Sequence, residues 1–155
     1  MKAQLLADYI LLNYNPMSHL KLQKLLFYCE AYHLAYFNSS LIDEEFEAWV
    51  HGPVCREVFD IYKSKAVLYK DLVFEGDKGD VLKQIDALGL SSDQVDLLND
   101  VLNTLNSWSA FELESATHRE YPWIQARAGV PAGDKCANKI SKETMRDFYK
   151  SELVS

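Results

Sequence analysis

The chain has 155 residues, 48% of them hydrophobic and 12% aromatic, so it can bury a core within one domain without disulfides or metals. The formal net charge of -7 is spread along the sequence without a basic cluster, which argues against nucleic-acid binding. Three widely spaced cysteines, no CxxC pair and no apolar stretch of membrane-spanning length argue against a disulfide framework and a membrane helix, and predict a cytoplasmic protein.

Two helices are predicted in the first quarter of the chain. Apolar residues recur at helical spacing over 2–13, and Asp8 interrupts this run, which argues against a signal peptide. Ser18 is placed to cap a second helix over 19–37. That segment is apolar around most of its circumference, as is typical of a central buried helix.

The stretch "AWVHGPVCREVF" lies between an extended segment and a helix. Alternating apolar residues over 46–50 predict a short strand, and Gly52 allows a sharp turn. Pro53 suits the first turn of a third helix, which we expect over 53–65. The less regular residues 66–80 are expected to form a hairpin or a mobile loop.

The second half of the chain carries repeated helix-start signals. Two capping boxes and two single start residues precede the expected helices: Ser91 with Gln94, Ser109 with Glu112, Pro122, and Ser141 before a last helix that reaches Glu152. The sequence therefore predicts a predominantly α fold. We expect one domain over 1–155, a compact bundle of about six helices with at most a small β-hairpin near its middle.

His51 and Cys55 are the first candidates for chemistry. Their spacing suits metal ligands on one helix face, but Gly52 and Pro53 interrupt any helix and two donors are too few. Cys55 near a helix N-terminus would have a lowered thiol pKa, with His51 or His118 as its base. Free cysteines are more often buried and inert. We therefore predict no catalytic residue, no metal and no cofactor, and not an enzyme.

The second concentrated stretch is "ATHREYPWIQARAG". Here Thr117 and His118 end one helix, while Pro122 and Trp123 begin the next. One interpretation is an interhelical corner locked by an aromatic side chain. The other is an exposed surface of tryptophan and arginine for a protein partner, since these residues dominate binding hot spots. The residues alone leave both interpretations open.

Three motifs resemble those of the Panacea-domain family, which includes SocA-like antitoxins and GepA-like phage-associated proteins. The segments are "HLKLQKLLFYCEAYHLAY", "EFEAWVHGPVCREVFDIYK" and "SAFELESATHREYPWIQAR", in the family's order and spacing from about Ala7 to about Ala128. The matching residues are Lys21, Leu22, Lys24 and Leu25; Ala48-Trp49 with Gly52-Pro53-Val54; and Thr117-His118 with Pro122-Trp123.

This resemblance implies an antitoxin-type domain that neutralises a toxin encoded by a neighbouring gene through direct protein contact. It carries no established catalytic residues, and a histidine before Gly52 fits the pattern. We see no additional DNA-binding segment before the first motif and expect no nucleic-acid partner. Candidate partner contacts are Trp49, His51, Arg56, His118, Arg119 and Trp123.

Two other functions stay open at this point. The SocA branch of the family also delivers its toxin to an AAA+ protease, so a Clp-type protease is a second expected partner of an adaptor or of a phage or mobile-element accessory module. A small hydrolase that pairs Cys55 with His51 or His118 is the third alternative.

Overall fold

One long helix organises the molecule, which is described by a computed structural model over residues 1–14, 16–63 and 70–153. The described residues form eight helices and four short strands, whose bounds are α1 Ala3–Asn13, β1 Met17–Ser18, α2 His19–Phe37, β2 Glu47–Trp49, β3 Gly52–Val54, α3 Arg56–Tyr62, β4 Asp71–Leu72, α4 Lys78–Ala87, α5 Ser92–Leu105, α6 Ala110–His118, α7 Tyr121–Ala126 and α8 Lys142–Leu153. The fold is compact and mainly helical, as predicted.

Helix α2 lies at the centre, where α1, α5, α6, α8 and β3 all pack against it. The side chain of Ser18 accepts a 3.1 Å hydrogen bond from the backbone N–H of Lys21, as expected for an N-cap. The helix ends at Asn38, which adopts a left-handed conformation with φ 57°. The prediction of a central buried helix is confirmed, because most of its side chains are buried, including the charged Lys24 and Glu30.

Helix α8 closes one side of α2 through aromatic packing and a buried ion pair. The ring of Phe27 makes edge contacts with Phe46 and Tyr149. Glu30, which has no exposed side-chain surface, accepts a 2.6 Å hydrogen bond from Lys142 Nζ and a 2.7 Å bond from the backbone N–H of Leu41. These bonds satisfy a carboxylate that would otherwise be costly to bury.

The helix expected over 53–65 begins later than predicted. Pro53 lies in β3, where it pairs with Ala48 of β2 in an antiparallel hairpin, and α3 begins at Arg56. A proline is tolerated in a short edge strand, since it lacks only the N–H that such a position does not use. The helix ends at Tyr62, and the last part of the expected range lies outside the described residues.

Of the two alternatives for 66–80, a hairpin or a mobile loop, the hairpin is wrong where the structure describes this region, while residues 73–77 have no regular secondary structure. Leu72 of β4 pairs with Met17 of β1, so this small sheet joins distant parts of the chain. Helix α4, which was not predicted, begins at Lys78 after the Asp77 side chain accepts a hydrogen bond from the N–H of Asp80. Residues 66–69 lie outside the described residues.

The predicted helix starts in the second half are confirmed. Both capping boxes form, with the Ser91 and Ser109 side chains accepting from the backbone N–H of Gln94 and Glu112. The Ser141 hydroxyl accepts from the N–H of Thr144 at the start of α8. These devices depend on side chains only three residues apart, which explains why they could be recognised from the sequence.

Candidate functional site

The β2–β3 hairpin is a short, mostly buried element whose turn contains Val50 and His51. Gly52 completes this turn with φ +100°, a conformation that favours glycine. A Cβ atom added to Gly52 would lie 2.5 Å from Lys24 Cε and 2.9 Å from Thr117 Oγ1. Glycine is therefore required here both for the turn and for the close approach of α2 and α6.

Two buried side chains of α2 hold β3 by its backbone. Lys24, with no exposed surface, donates a 2.9 Å hydrogen bond from Nζ to the carbonyl oxygen of Pro53. Burial lowers the pKa of Lys24 to about 7, although Glu114 acts in the opposite direction. Gln23 binds both backbone groups of Cys55, with Oε1 accepting from its N–H at 2.8 Å and Nε2 donating to its carbonyl at 3.3 Å.

Helix α7 and the residue that follows it hold β2 in the same manner. Trp123 Nε1 donates a 2.8 Å hydrogen bond to the carbonyl oxygen of Trp49. The buried guanidinium of Arg127 donates a 2.8 Å bond from Nη1 to the carbonyl oxygen of Ala48. We call Gln23, Lys24, Trp123 and Arg127 the hairpin clamp, because each of them bonds to the main chain of the hairpin or of Cys55 beside it.

The two histidines near the hairpin have different surroundings. His51 is exposed, and its Nδ1 lies 2.7 Å from Glu114 Oε1. His118 stacks on Trp123 with ring centroids 4.2 Å apart. Burial lowers the pKa of His118, while the Glu114 carboxylate and the backbone of Val50 act in the opposite direction. Among the described residues, no group bonds to its Nε2 atom.

Cys55 does not have the environment of a nucleophile. Its side chain is fully buried, and burial raises the pKa of its thiol to about 12, with hydrogen bonds from the α3 backbone only partly opposing this. The alternative of a lowered pKa at the helix N-terminus is therefore contradicted, since desolvation outweighs the effect of the helix end, and Cys55 has the burial that is typical of free cysteines. In the described part of the chain, no three His, Cys, Asp or Glu side chains are grouped to hold a metal ion.

Beside the hairpin lies an open groove of about 520 Å³. Its lining residues are Leu20, Trp49, Val50, His51, Val54, Arg56, Lys135, Cys136 and Ala137. The structure thus brings together three of the predicted contact residues, Trp49, His51 and Arg56. We call this feature the hairpin groove.

The other three predicted contact residues lie elsewhere. Trp123 is only 9% exposed and supports the hairpin from behind, with His118 stacked against it. Arg119 is exposed at the C-cap of α6 and does not line the groove. Of the two interpretations of "ATHREYPWIQARAG", the interhelical corner locked by an aromatic side chain therefore describes Trp123. Arg119 is exposed, as the interpretation as a partner surface requires.

Arg56 is held in a fixed position on one wall of the groove. Its Nε and Nη2 atoms each donate a 3.0 Å hydrogen bond to Glu47, and its guanidinium carbon lies 5.1 Å from the centre of the Trp49 ring. Burial disfavours the charged form of Glu47, but hydrogen bonds from Arg56, Trp49 and Lys139 outweigh this and lower the pKa of the carboxyl. The pair is therefore ionised at neutral pH.

The part of the groove lining that comes from the segment before α8 was not predicted from the sequence. Lys135, Cys136 and Ala137 belong to the segment before α8, and β2 brings that segment close by backbone pairing. The N–H of Ala48 donates to the carbonyl of Asn138 at 2.9 Å, and the N–H of Ile140 donates to that of Phe46 at 2.8 Å. Because the paired residues are some 90 positions apart, no local sequence pattern predicts that this segment lies beside the hairpin. The two lysines of "DKCANK" show only that the segment is basic.

Comparison with known proteins places these features in a family. A model described as "Antitoxin SocA-like, Panacea domain" matches residues 22–124, about two thirds of the chain. The chain belongs to this family. The resemblance predicted from the three motifs is thereby confirmed, and the matched range contains the hairpin and the clamp residues Gln23, Lys24 and Trp123.

One curated relative is the antitoxin SocA of Caulobacter vibrioides (strain NA1000 / CB15N). It is 26% identical over 144 residues, which cover 90% of this chain and 76% of the relative. No solved structure matches the chain. Within the described ranges, no helix has the length and apolar character required to cross a lipid bilayer.

Proposed function

We propose that this protein is an antitoxin that binds a cognate toxin directly and holds it inactive. The membership of the SocA-like family supports the role. The observation that supports a particular binding surface is the hairpin groove, which brings Trp49, His51 and Arg56 together beside a backbone that the clamp holds in place. Tryptophan and arginine are the residue types that contribute most at protein interfaces.

The proposed mechanism is steric occlusion of the toxin. The clamp fixes the hairpin backbone, and the bonds from Glu47 fix Arg56, so little conformational entropy is lost when a partner binds. Apolar side chains in the groove would bury against the toxin while the exposed charges steer its approach. Complex formation would take place in the cytoplasm, where the three free cysteines stay reduced.

Co-expression with the adjacent gene tests this proposal. We expect the protein to restore growth to cells that express the neighbouring gene product and to co-purify with it. Arg56→Ala should weaken both effects. Arg146→Ala removes an arginine that pairs with Glu143 and Asp147 on α8, outside the groove, and should leave them unchanged. If the wild-type chain neither restores growth nor co-purifies with the neighbour, the antitoxin proposal is wrong.

The same cells distinguish occlusion from delivery to a protease. Under occlusion, the toxin accumulates in a stable complex, and its amount is the same with and without the Clp-type unfoldases of the cell. If the toxin instead disappears only when antitoxin and unfoldase are both present, the protein acts as an adaptor. The hydrolase alternative loses its support because burial raises the pKa of Cys55 to about 12.

A further inference from the structure

The hairpin groove combines an apolar floor with cationic walls on a chain of net charge -7. Leu20 and Val54, both nearly completely buried, lie at its base, and the half-buried ring of Trp49 supplies apolar surface. Arg56 and Lys135 supply positive charge. Among the described residues, no acidic side chain lines the groove. Glu57 and Asp60 follow Arg56 on α3, but neither reaches the lining.

Arg56 retains hydrogen-bonding capacity toward a ligand. A guanidinium has five N–H donors, of which Glu47 takes one on Nε and one on Nη2. In the part of the chain that the structure describes, no group takes the remaining three. The side chain is 47% exposed, so these donors reach solvent beside the groove while the guanidinium plane is held by Glu47 and Trp49.

Lys135, from the segment before α8, supplies a second positive charge to the lining of the groove. It is exposed, and no described carboxylate lies within ion-pair distance of it. Lys139 stands nearby but bonds to Glu47 at 3.4 Å. Two cations around an apolar floor match a carboxylate that neighbours an apolar side chain. A nucleic acid would need a longer basic track than this.

We propose that the hairpin groove binds an extended segment of a partner protein in which an aromatic or aliphatic side chain neighbours an aspartate or glutamate. The apolar side chain packs against the ring of Trp49, over the base formed by Leu20 and Val54. The carboxylate accepts hydrogen bonds from Arg56 and lies near Lys135. A volume of about 520 Å³ holds a few side chains rather than a folded surface. This inference rests on the proposed function, since it specifies what the toxin presents.

A displayed library of random linear peptides, selected on the folded full-length protein, tests the inference even when the toxin is unidentified. We expect enrichment of peptides that place Asp or Glu beside a large apolar residue. Synthetic versions of these peptides, measured by fluorescence polarisation, should also protect Cys136 from alkylation, because it is the one cysteine in the groove and the other two are buried.

Three variants locate the binding. Lys135→Glu should weaken peptide binding by about tenfold or more, and Ala137→Trp should abolish it by filling the groove. Both positions are exposed, so unfolding temperatures should match the wild type. Lys83→Glu, the same charge reversal on exposed α4 outside the groove, should leave the affinity unchanged.

Each alternative result overturns the inference. It is wrong if no peptide is enriched, if the enriched peptides lack acidic residues, or if they bind Lys135→Glu and Ala137→Trp as tightly as the wild type. Assays of toxin neutralisation with the same variants separate the two proposals. If both groove variants still neutralise the toxin, the antitoxin function stands and the groove is not its binding site. If the protein binds the selected peptides but does not neutralise the toxin, the groove inference stands and the antitoxin function is wrong.

Discussion

The side-chain nitrogen of Lys24 donates a hydrogen bond to the carbonyl oxygen of Pro53, at 2.9 Å, from a side chain with no exposed surface. A lysine at the centre of a helical core is costly to bury unless it is paired or loses its proton. Here it joins the central helix α2 to the hairpin that carries the candidate site, so the stability of the core and the position of the site depend on the same atom.

Lys24 should make the stability of the protein rise with pH. Its pKa is about 7 in the folded chain and 10.5 when exposed, so above pH 7 the unfolded state binds more protons. Urea unfolding between about pH 7 and pH 8.5 should show wild type gaining stability relative to Lys24→Met by about 1 kcal/mol per pH unit. The tyrosines and cysteines are the same in both proteins, so their contributions to the pH dependence of stability cancel in this difference.

The exposed variant Lys150→Met is the control for the Lys24 experiment. It removes a positive charge from the surface of α8, outside the hairpin clamp. Its difference from wild type should not change with pH over this range. A constant difference for Lys24→Met as well would show that Lys24 keeps its proton in the folded protein.

Gly52→Ala should destabilise the protein through two separate effects. The left-handed backbone disfavours any side chain, and the new Cβ would press against Lys24 and Thr117. We expect a loss of about 3 kcal/mol in the free energy of unfolding. Gly89→Ala is the matched control, because Gly89 also has a positive φ of +65° but open space around it, and should cost about 1 kcal/mol. Equal losses would show that the close approach is unimportant.

Lys142→Met should be much more damaging than the same change at an exposed ion pair. It leaves the carboxylate of Glu30 buried without its cation, which should cost about 3–5 kcal/mol. Lys63→Met breaks the exposed pair with Asp60 and should cost less than about 1 kcal/mol. Chemical denaturation of the two variants makes the comparison, and similar values would contradict a structural role for the Glu30 pair.

Alkylation by N-ethylmaleimide should distinguish Cys136 from the other two cysteines. Burial raises the pKa of Cys29 and raises that of Cys55 to about 12, and both thiols are inaccessible. Mass spectrometry of the folded protein near neutral pH should therefore find one modified thiol, at Cys136, and three after denaturation. Cys55→Ser should not alter the folded result. Rapid labelling of Cys55 would instead revive the hydrolase alternative.

The parts of the fold that could be predicted are those that depend on neighbouring residues. Ser18, Ser91 and Ser109 cap helices through atoms three residues away, and the apolar circumference of α2 reflects its burial directly. Pro53 and α4 were missed because local signals pointed elsewhere. Proline suits a helix start as well as an edge strand, and Gly79 suggested a turn although it lies in the first turn of a helix.

The candidate site was only half visible in the sequence for the same reason. Trp49, His51 and Arg56 are close together along the chain, so one motif contains them. Lys135, Cys136 and Ala137 reach the groove only through backbone pairing between β2 and a segment about 90 residues later. Trp123 is of a residue type that is common at protein interfaces, and only its burial in the structure shows that it supports the hairpin instead.

The clamp grips the hairpin by its main chain. Its bonds end on the carbonyl oxygens of Ala48, Trp49 and Pro53 and on the peptide groups of Cys55, atoms that every amino acid carries. The clamp therefore makes no demand on the side chains at positions 50 and 51. Substitutions at these two turn positions can therefore change the surface that the hairpin presents, while the framework beneath it stays the same.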